Sequence, residues 1–226
     1  MRQSNNLLTS QEYRDAIYFD FEGEGKTRGS SVPPKPKICG FFRPNDKGKS
    51  GKFDITCFDP AWKPVVNGNR NFFYLSFDHC FEKVLTELDD NDKYLIHWTE
   101  HERYILKTYL DNELYEVLET YLYNLHPIAK KYVSLTNKFG DKSKGKGKKL
   151  EDFYASIYPS RESQPSLSLG AAESCRKIDK ACSKKKYWRS FSDKEKKIAH
   201  DLIDYNHGDC KSAWLIAKRL GSYFNK

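Results

Sequence analysis

Apolar and polar positions first alternate along this chain in short bursts and later settle into longer, helical spacings. Ile17, Phe19 and Phe21 alternate with Tyr18, Asp20 and Glu22, and this period of two predicts a first strand over 16–22. A loop rich in Gly, Ser, Lys and Pro follows from Gly23 to Pro36. Lys37–Phe42 and Phe53–Phe58 read as two further strands around the turn-prone stretch Asn45–Gly51, so the three predict a meander. Phe77, Phe81, Val84, Leu85 and Leu88 have helical spacing, and Lys93–Trp98 reads as a short buried strand. Helical patterns then run over 100–110, 112–123 and 150–157. Ser192 to Gly221 is helical again, with an interruption expected near Asn206-His207-Gly208. Residues 1–15 form a polar lead-in with a short helical turn around Ser10-Gln11-Glu12. Three strands, then alternating helices and a further strand, predict a single α/β domain over 16–226.

Composition adds a partner class to this picture. A chain of 226 residues suffices for one well-buried domain. Lys and Arg total 39 against 31 Asp and Glu, a net charge of +8, and a basic surface around an acidic pocket suits a polyanionic substrate. Two segments concentrate the charge. Asn137–Lys149 carries six lysines and one acid and reads as a basic loop too polar to bury. Arg176–Arg189 sets Lys184, Lys185 and Lys186 beside Tyr187 and Trp188. That mixture suits a nucleic-acid groove, where cations meet phosphates and rings stack on bases; a solvated helix face with a packed aromatic anchor is the other reading. The six cysteines contain no CxxC pair, Cys175 and Cys182 match no usual zinc spacing, and no apolar stretch reaches membrane-spanning length. Reduced thiols in a cytoplasmic protein with no membrane partner are therefore expected. Nucleotide-driven motor and dinucleotide chemistry are unsupported, since neither GxxxxGK[ST] nor GxGxxG occurs.

The candidate chemistry begins with Asp20 and Glu22. On a strand their spacing places both carboxylates on one face, where like charges repel. A hard divalent cation such as Mg²⁺ or Mn²⁺ is the usual remedy, although acidic pairs also occur on ordinary solvated strands. Near the other end, Tyr205 and Asp209 stand four residues apart, which on a helix puts phenol and carboxylate on one face. Between them, Leu95–Arg103 carries a strand into a helix start with Glu100 and Glu102, acids that would also simply complement the helix dipole.

Taken in order, Asp20-x-Glu22, the His97/His101-Glu102 element and Tyr205-x₃-Asp209 resemble the three exonuclease motifs of DEDD-type 3′–5′ exonucleases. Within these, the chain most resembles the predicted ribonuclease H-like nucleases often found with RecB-type nuclease domains. Lys149-Leu150-Glu151-Asp152-Phe153-Tyr154 and Tyr205-Asn206-x-x-Asp209-Cys210 are similar to two further stretches of that group, so the likeness runs from about residue 16 to 221. The resemblance implies a ribonuclease H-like fold, with a central mixed sheet of a three-strand meander plus parallel strands, flanked by helices. It implies a two-metal nuclease holding two Mg²⁺ or Mn²⁺ ions on Asp20, Glu22, Glu102 and Asp209, with Glu100 the alternative for the central acid and Tyr205 orienting the attacking water. Single-stranded DNA or RNA would be the substrate, and a helicase or RecB-type nuclease the companion. Lys184, Lys185, Lys186 and Trp188, with His207 at the rim, are the expected substrate-binding residues. The central motif departs from the common pattern, since many relatives carry Asn and Phe-Asp there. A structure-specific endonuclease and a non-cleaving, nuclease-like binding module are the other functions compatible with these residues.

Overall fold

Alternation along β1 (Ile17–Glu22) sorts its side chains between two helical layers. Ile17 and Phe19 join Phe41 and Leu95 beneath α3 (Phe77–Asp90), α4 (Glu100–Tyr109) and α5 (Asn112–Glu119). Tyr18 points the other way and joins Phe42, Ile96 and Trp214, the face that also receives Asp20 and Glu22 by the same period. The computed structural model describes residues 7–25, 29, 31–45, 48–136, 149–159 and 167–225. Within these, β2 (Ile38–Pro44) and β3 (Gly51–Cys57) complete an antiparallel meander with β1. β5 (Leu95–His97) runs parallel to β1, β6 (Leu122–Asn124) parallel to β5, and β4 (Phe72–Tyr74) parallel to β3. The strand order is β4-β3-β2-β1-β5-β6, an α/β architecture with one mixed sheet between helices.

The second face holds two core clusters. One lies under α1 (Ser10–Asp15), α6 (His126–Thr136) and α7 (Leu150–Ile157). The other gathers Ile38, Ile55 and Cys57 beneath α2 (Lys63–Gly68) and α8 (Ala171–Cys182). α9 (Asp193–Phe224) serves both: Ala199 and Leu202 belong to the second cluster, and Cys210 to Leu220 to the first. Its 32 residues extend about 48 Å at the usual helical rise.

Several expectations change here. The interruption near Asn206-His207-Gly208 is absent, and α9 runs through it as one helix. Those polar positions fall where the two apolar clusters meet, so they mark a site in the helix rather than a break. The helix expected over 112–123 stops at Glu119, and Leu122–Asn124 adds a parallel edge strand beside β5. The lead-in is less polar than its composition implies, because Leu8 and Tyr13 are core residues. α1 is a formed helix with a Thr9/Glu12 capping box, the reciprocal pattern that satisfies two unpaired amides at a helix start. All six thiols are free, and no described helix is long and apolar enough to cross a membrane.

Candidate functional site

Parallel pairing of β1 with β5 brings the C-terminal ends of both strands to one edge of the sheet. β1 delivers Asp20 and Glu22 there, and α4 begins immediately beyond β5. Asp209 arrives from the middle of α9. One carboxylate oxygen from each of Asp20, Glu22 and Asp209 lies within 4.8 Å of the others. Glu22 and Asp209 are buried and Asp20 is partly buried. The face-sharing read from the period of two, and the meeting of β1 acids with the late Tyr-x₃-Asp, are both present.

Burial and mutual repulsion dominate the electrostatics of this group. Burial, then the charges of Glu22, Asp209 and Glu102, push Asp20 well above the ordinary carboxylate range. Burial and the Asp209 charge push Glu22 up to about 8. Asp209 is pushed up to about 7 by burial and then by Glu151. Such displacements arise where the charged form is desolvated beside like charges. Asp209 Oδ1 is fully buried and has no hydrogen-bond partner, an acceptor whose desolvation is uncompensated.

Of the two candidates for the central acid, Glu102 is the one beside the cluster. It is 7% exposed and acts electrostatically on Asp20, Glu22 and Asp209, though it is not one of the mutually close three. Its Oε2 accepts from the Thr99 amide at 2.9 Å and the Thr99 hydroxyl at 2.8 Å. This capping box starts α4 and fixes the side chain through one oxygen. Glu100, the alternative, is exposed and is bound instead by Asn124 at 2.6 Å and Arg103 at 3.6 Å. His97 is buried against the same turn, its Nδ1 at 2.5 Å from the Thr99 carbonyl, and burial lowers its pKa.

Tyr205 also reaches the cluster. Its hydroxyl donates to Glu151 Oε1 at 3.3 Å, and the Asp209 charge acts on it. Glu151, in the first turn of α7, was quoted in the sequence only as part of a helix motif. It is nevertheless a charge neighbour of Asp209, Glu22 and Tyr205. The available signal was an acid opening a short helix directly after the lysine-rich segment. Asn206 is the second residue missed. It sits within the Tyr205-Asn206-x-x-Asp209 motif, is fully buried, and donates to the Asp20 carboxylate.

No family model, curated protein or solved structure matches this chain. What the site can do is therefore argued from its own geometry.

The expected substrate-binding residues stand apart from the acids. Trp188 is half-buried rather than displayed: its ring lies so close over Gly68 that a Cβ there would fall 2.2 Å from it, and it packs on Phe191 and His200. His200 precedes Asp209 by nine positions of α9, about 13 Å along the axis. The Trp188 end of the basic run thus lies beside the first turns of α9, whereas Arg176, at its other end, donates to the Glu24 carbonyl just beyond β1. Lys185 is ion-paired with Glu195, whereas Lys184 and Lys186 are exposed. The displayed ring of the run is Tyr187, 61% exposed with the Arg189 guanidinium 5.4 Å from its centroid. His207 stacks on Phe53 at 4.5 Å and lines a cleft along α9 with Lys197, Asp204 and Lys211; burial and Lys211 lower its pKa. Residues 137–148 of the expected basic loop lie outside the described residues. Trp188→Ala should accordingly cost about 2–4 kcal/mol in urea unfolding, as loss of a packed aromatic does, with single-strand affinity unchanged; unaltered stability with weakened binding would restore the stacking role.

Proposed function

We propose that this protein is a divalent-metal-dependent nuclease of ribonuclease H-like fold. It hydrolyses phosphodiester bonds as a 3′–5′ exonuclease on single-stranded DNA or RNA. The observation that carries the reading is the convergence of Asp20, Glu22 and Asp209 within 4.8 Å, with Asp209 Oδ1 buried and unpartnered among them. A meander continued by parallel strands is the sheet this reading expects.

The donors fit the metal. All are carboxylate oxygens, the ligand type of Mg²⁺ and Mn²⁺, and no imidazole or thiolate joins the group. Asp20, Glu22 and Asp209 would hold the ions, with Glu102 alongside. Two ions held there would supply charge neutralisation at a phosphate and a more acidic water. The chain's own residues do the remainder. Tyr205, held by Glu151 beside the Asp209 charge, orients the attacking water through its hydroxyl. Glu102 keeps its place because one of its oxygens is committed to the start of α4. The exposed Lys184, Lys186 and Tyr187 take the more distant part of the strand.

Digestion of end-labelled single strands, duplexes and circles with and without Mg²⁺ tests the proposal. Stepwise shortening from the 3′ end of single strands, abolished by chelation, is expected. Nicked circles would turn the reading to an endonuclease, and binding without product to a non-cleaving module.

A further inference from the structure

The residue that most tightly governs the candidate metal centre is itself no acid. Asn206 is fully buried in the middle of α9. Its Nδ2 donates to Asp20 Oδ2 at 3.0 Å and to the Asp20 main-chain carbonyl at 3.2 Å. The carbonyl can only accept, so the amide must present its NH₂ to β1. This leaves Oδ1 facing the sheet, where it is buried and has no partner. Leaving a buried acceptor unpaired costs about 1–3 kcal/mol, which an apolar residue at 206 would avoid. Stability therefore does not account for Asn206.

The sheet is shaped to admit it. Gly40 stands directly across from Asp20 in the antiparallel register, and paired residues present their side chains to the same face. A Cβ on Gly40 would lie 1.9 Å from Asn206 Oδ1 and 2.7 Å from the Phe53 ring. The φ of Gly40 is not in the left-handed region, so its backbone does not require glycine. What requires it is the close approach of α9, whose Cys210 Sγ also reaches the Gly40 carbonyl at 3.5 Å.

The geometry points to Asn206 as the positioning residue of the centre: it pins one oxygen of Asp20, freeing the other for the cation, and Gly40 supplies the space. This rests on the metal reading proposed above. Groups that orient a metal's ligands typically contribute 10–100-fold to its affinity.

Mn²⁺ binding to the full chain, followed by electron paramagnetic resonance of the free ion, provides the test. Asn206→Leu, similar in shape but without the donor, should weaken binding about 10–100-fold while circular dichroism stays as in the wild type and the thermal midpoint is no lower. In an Asp20→Ala background the same substitution should change nothing further, because Asn206 acts through Asp20; a packing role would weaken both backgrounds alike. Gly40→Ala, which leaves Asn206 in the chain but displaces it, should reproduce the loss. Wild-type affinity in either Asn206→Leu or Gly40→Ala overturns the inference, as does an equal loss with and without Asp20, and Gly40→Ala decides the matter if Asn206→Leu does not fold. A wild-type chain that binds no Mn²⁺ overturns the metal reading itself, an outcome distinct from variants that match a binding wild type.

Discussion

Asp20→Asn should abolish metal-dependent cleavage and at the same time make the metal-free protein harder to unfold. The two effects have one origin. Asp20 is held among Glu22, Asp209 and Glu102 and is pushed far from its ordinary titration range by burial and their charges. Removing its charge relieves a repulsion that folding imposes and the unfolded chain does not feel. The same charge is what a cation requires: charge stabilisation by a bound metal is worth several kcal/mol in the transition state, and each 1.36 kcal/mol is tenfold in rate. A loss of about 10³-fold or more in turnover is expected, measured on end-labelled oligonucleotide at saturating Mn²⁺. Thermal unfolding in chelator should give a higher midpoint than the wild type. Retained turnover would remove Asp20 from the chemistry, and an unchanged or lower midpoint would mean that repulsion at the site is already relieved in the metal-free chain.

Raising the pH should destabilise the metal-free protein across a window set by these same acids. Unfolded carboxyl groups release their protons near pH 4, while in the folded chain Asp209 holds its proton to about 7 and Glu22 to about 8. Between those limits the folded state binds more protons than the unfolded one, so stability is fully present below about pH 4 and falls as the pH rises towards 8. Each unit of displacement corresponds to about 1.4 kcal/mol, and a total loss of several kcal/mol is expected. Urea titrations at steps from pH 5 to 8.5 in chelator would show it. Mn²⁺ at a hundredfold excess over its dissociation constant should return about 2.7 kcal/mol, since it binds the folded, deprotonated form. A flat profile in chelator would mean that the three carboxylates are not crowded in solution. Glu22→Gln should flatten part of the decline, with the remainder attributable to Asp20 and Asp209.

Much of the scaffold was legible because β1, β2 and β3 are long enough to show a period. β4 and β6 have three residues each, too few for alternation, and the second was absorbed into the helical pattern before it. The shared face of Asp20 and Glu22 followed from strand geometry. Their meeting with Asp209 did not; it rested on the order of motifs, because nothing local in either segment records the other. Asn206 was misread for an instructive reason. Polar residues in a helix ordinarily suggest an exposed or broken turn, and only the sheet opposite, with Gly40 beneath and Asp20 alongside, shows why a buried amide belongs there. Trp188 shows a different limit. Composition places an aromatic among lysines but cannot distinguish a ring that awaits a base from one already packed over Gly68.

The span of α9 has a bearing on how the molecule reaches its working state. β1 can pair with β2 and β5 without it, yet Tyr205, Asn206 and Asp209 meet Asp20 only after a loop of roughly 186 residues has closed. Contacts so distant in sequence are costly to form early, because the chain's freedom must be given up before they reward it. The acids of β1 therefore gain their partners late, when the sheet already exists to receive the helix. A partly folded chain holds Asp209 away from Asp20 and Glu22, so the three carboxylates neither crowd one another nor gather a cation. Competence to bind the proposed ion would then report that both ends of the fold have found each other.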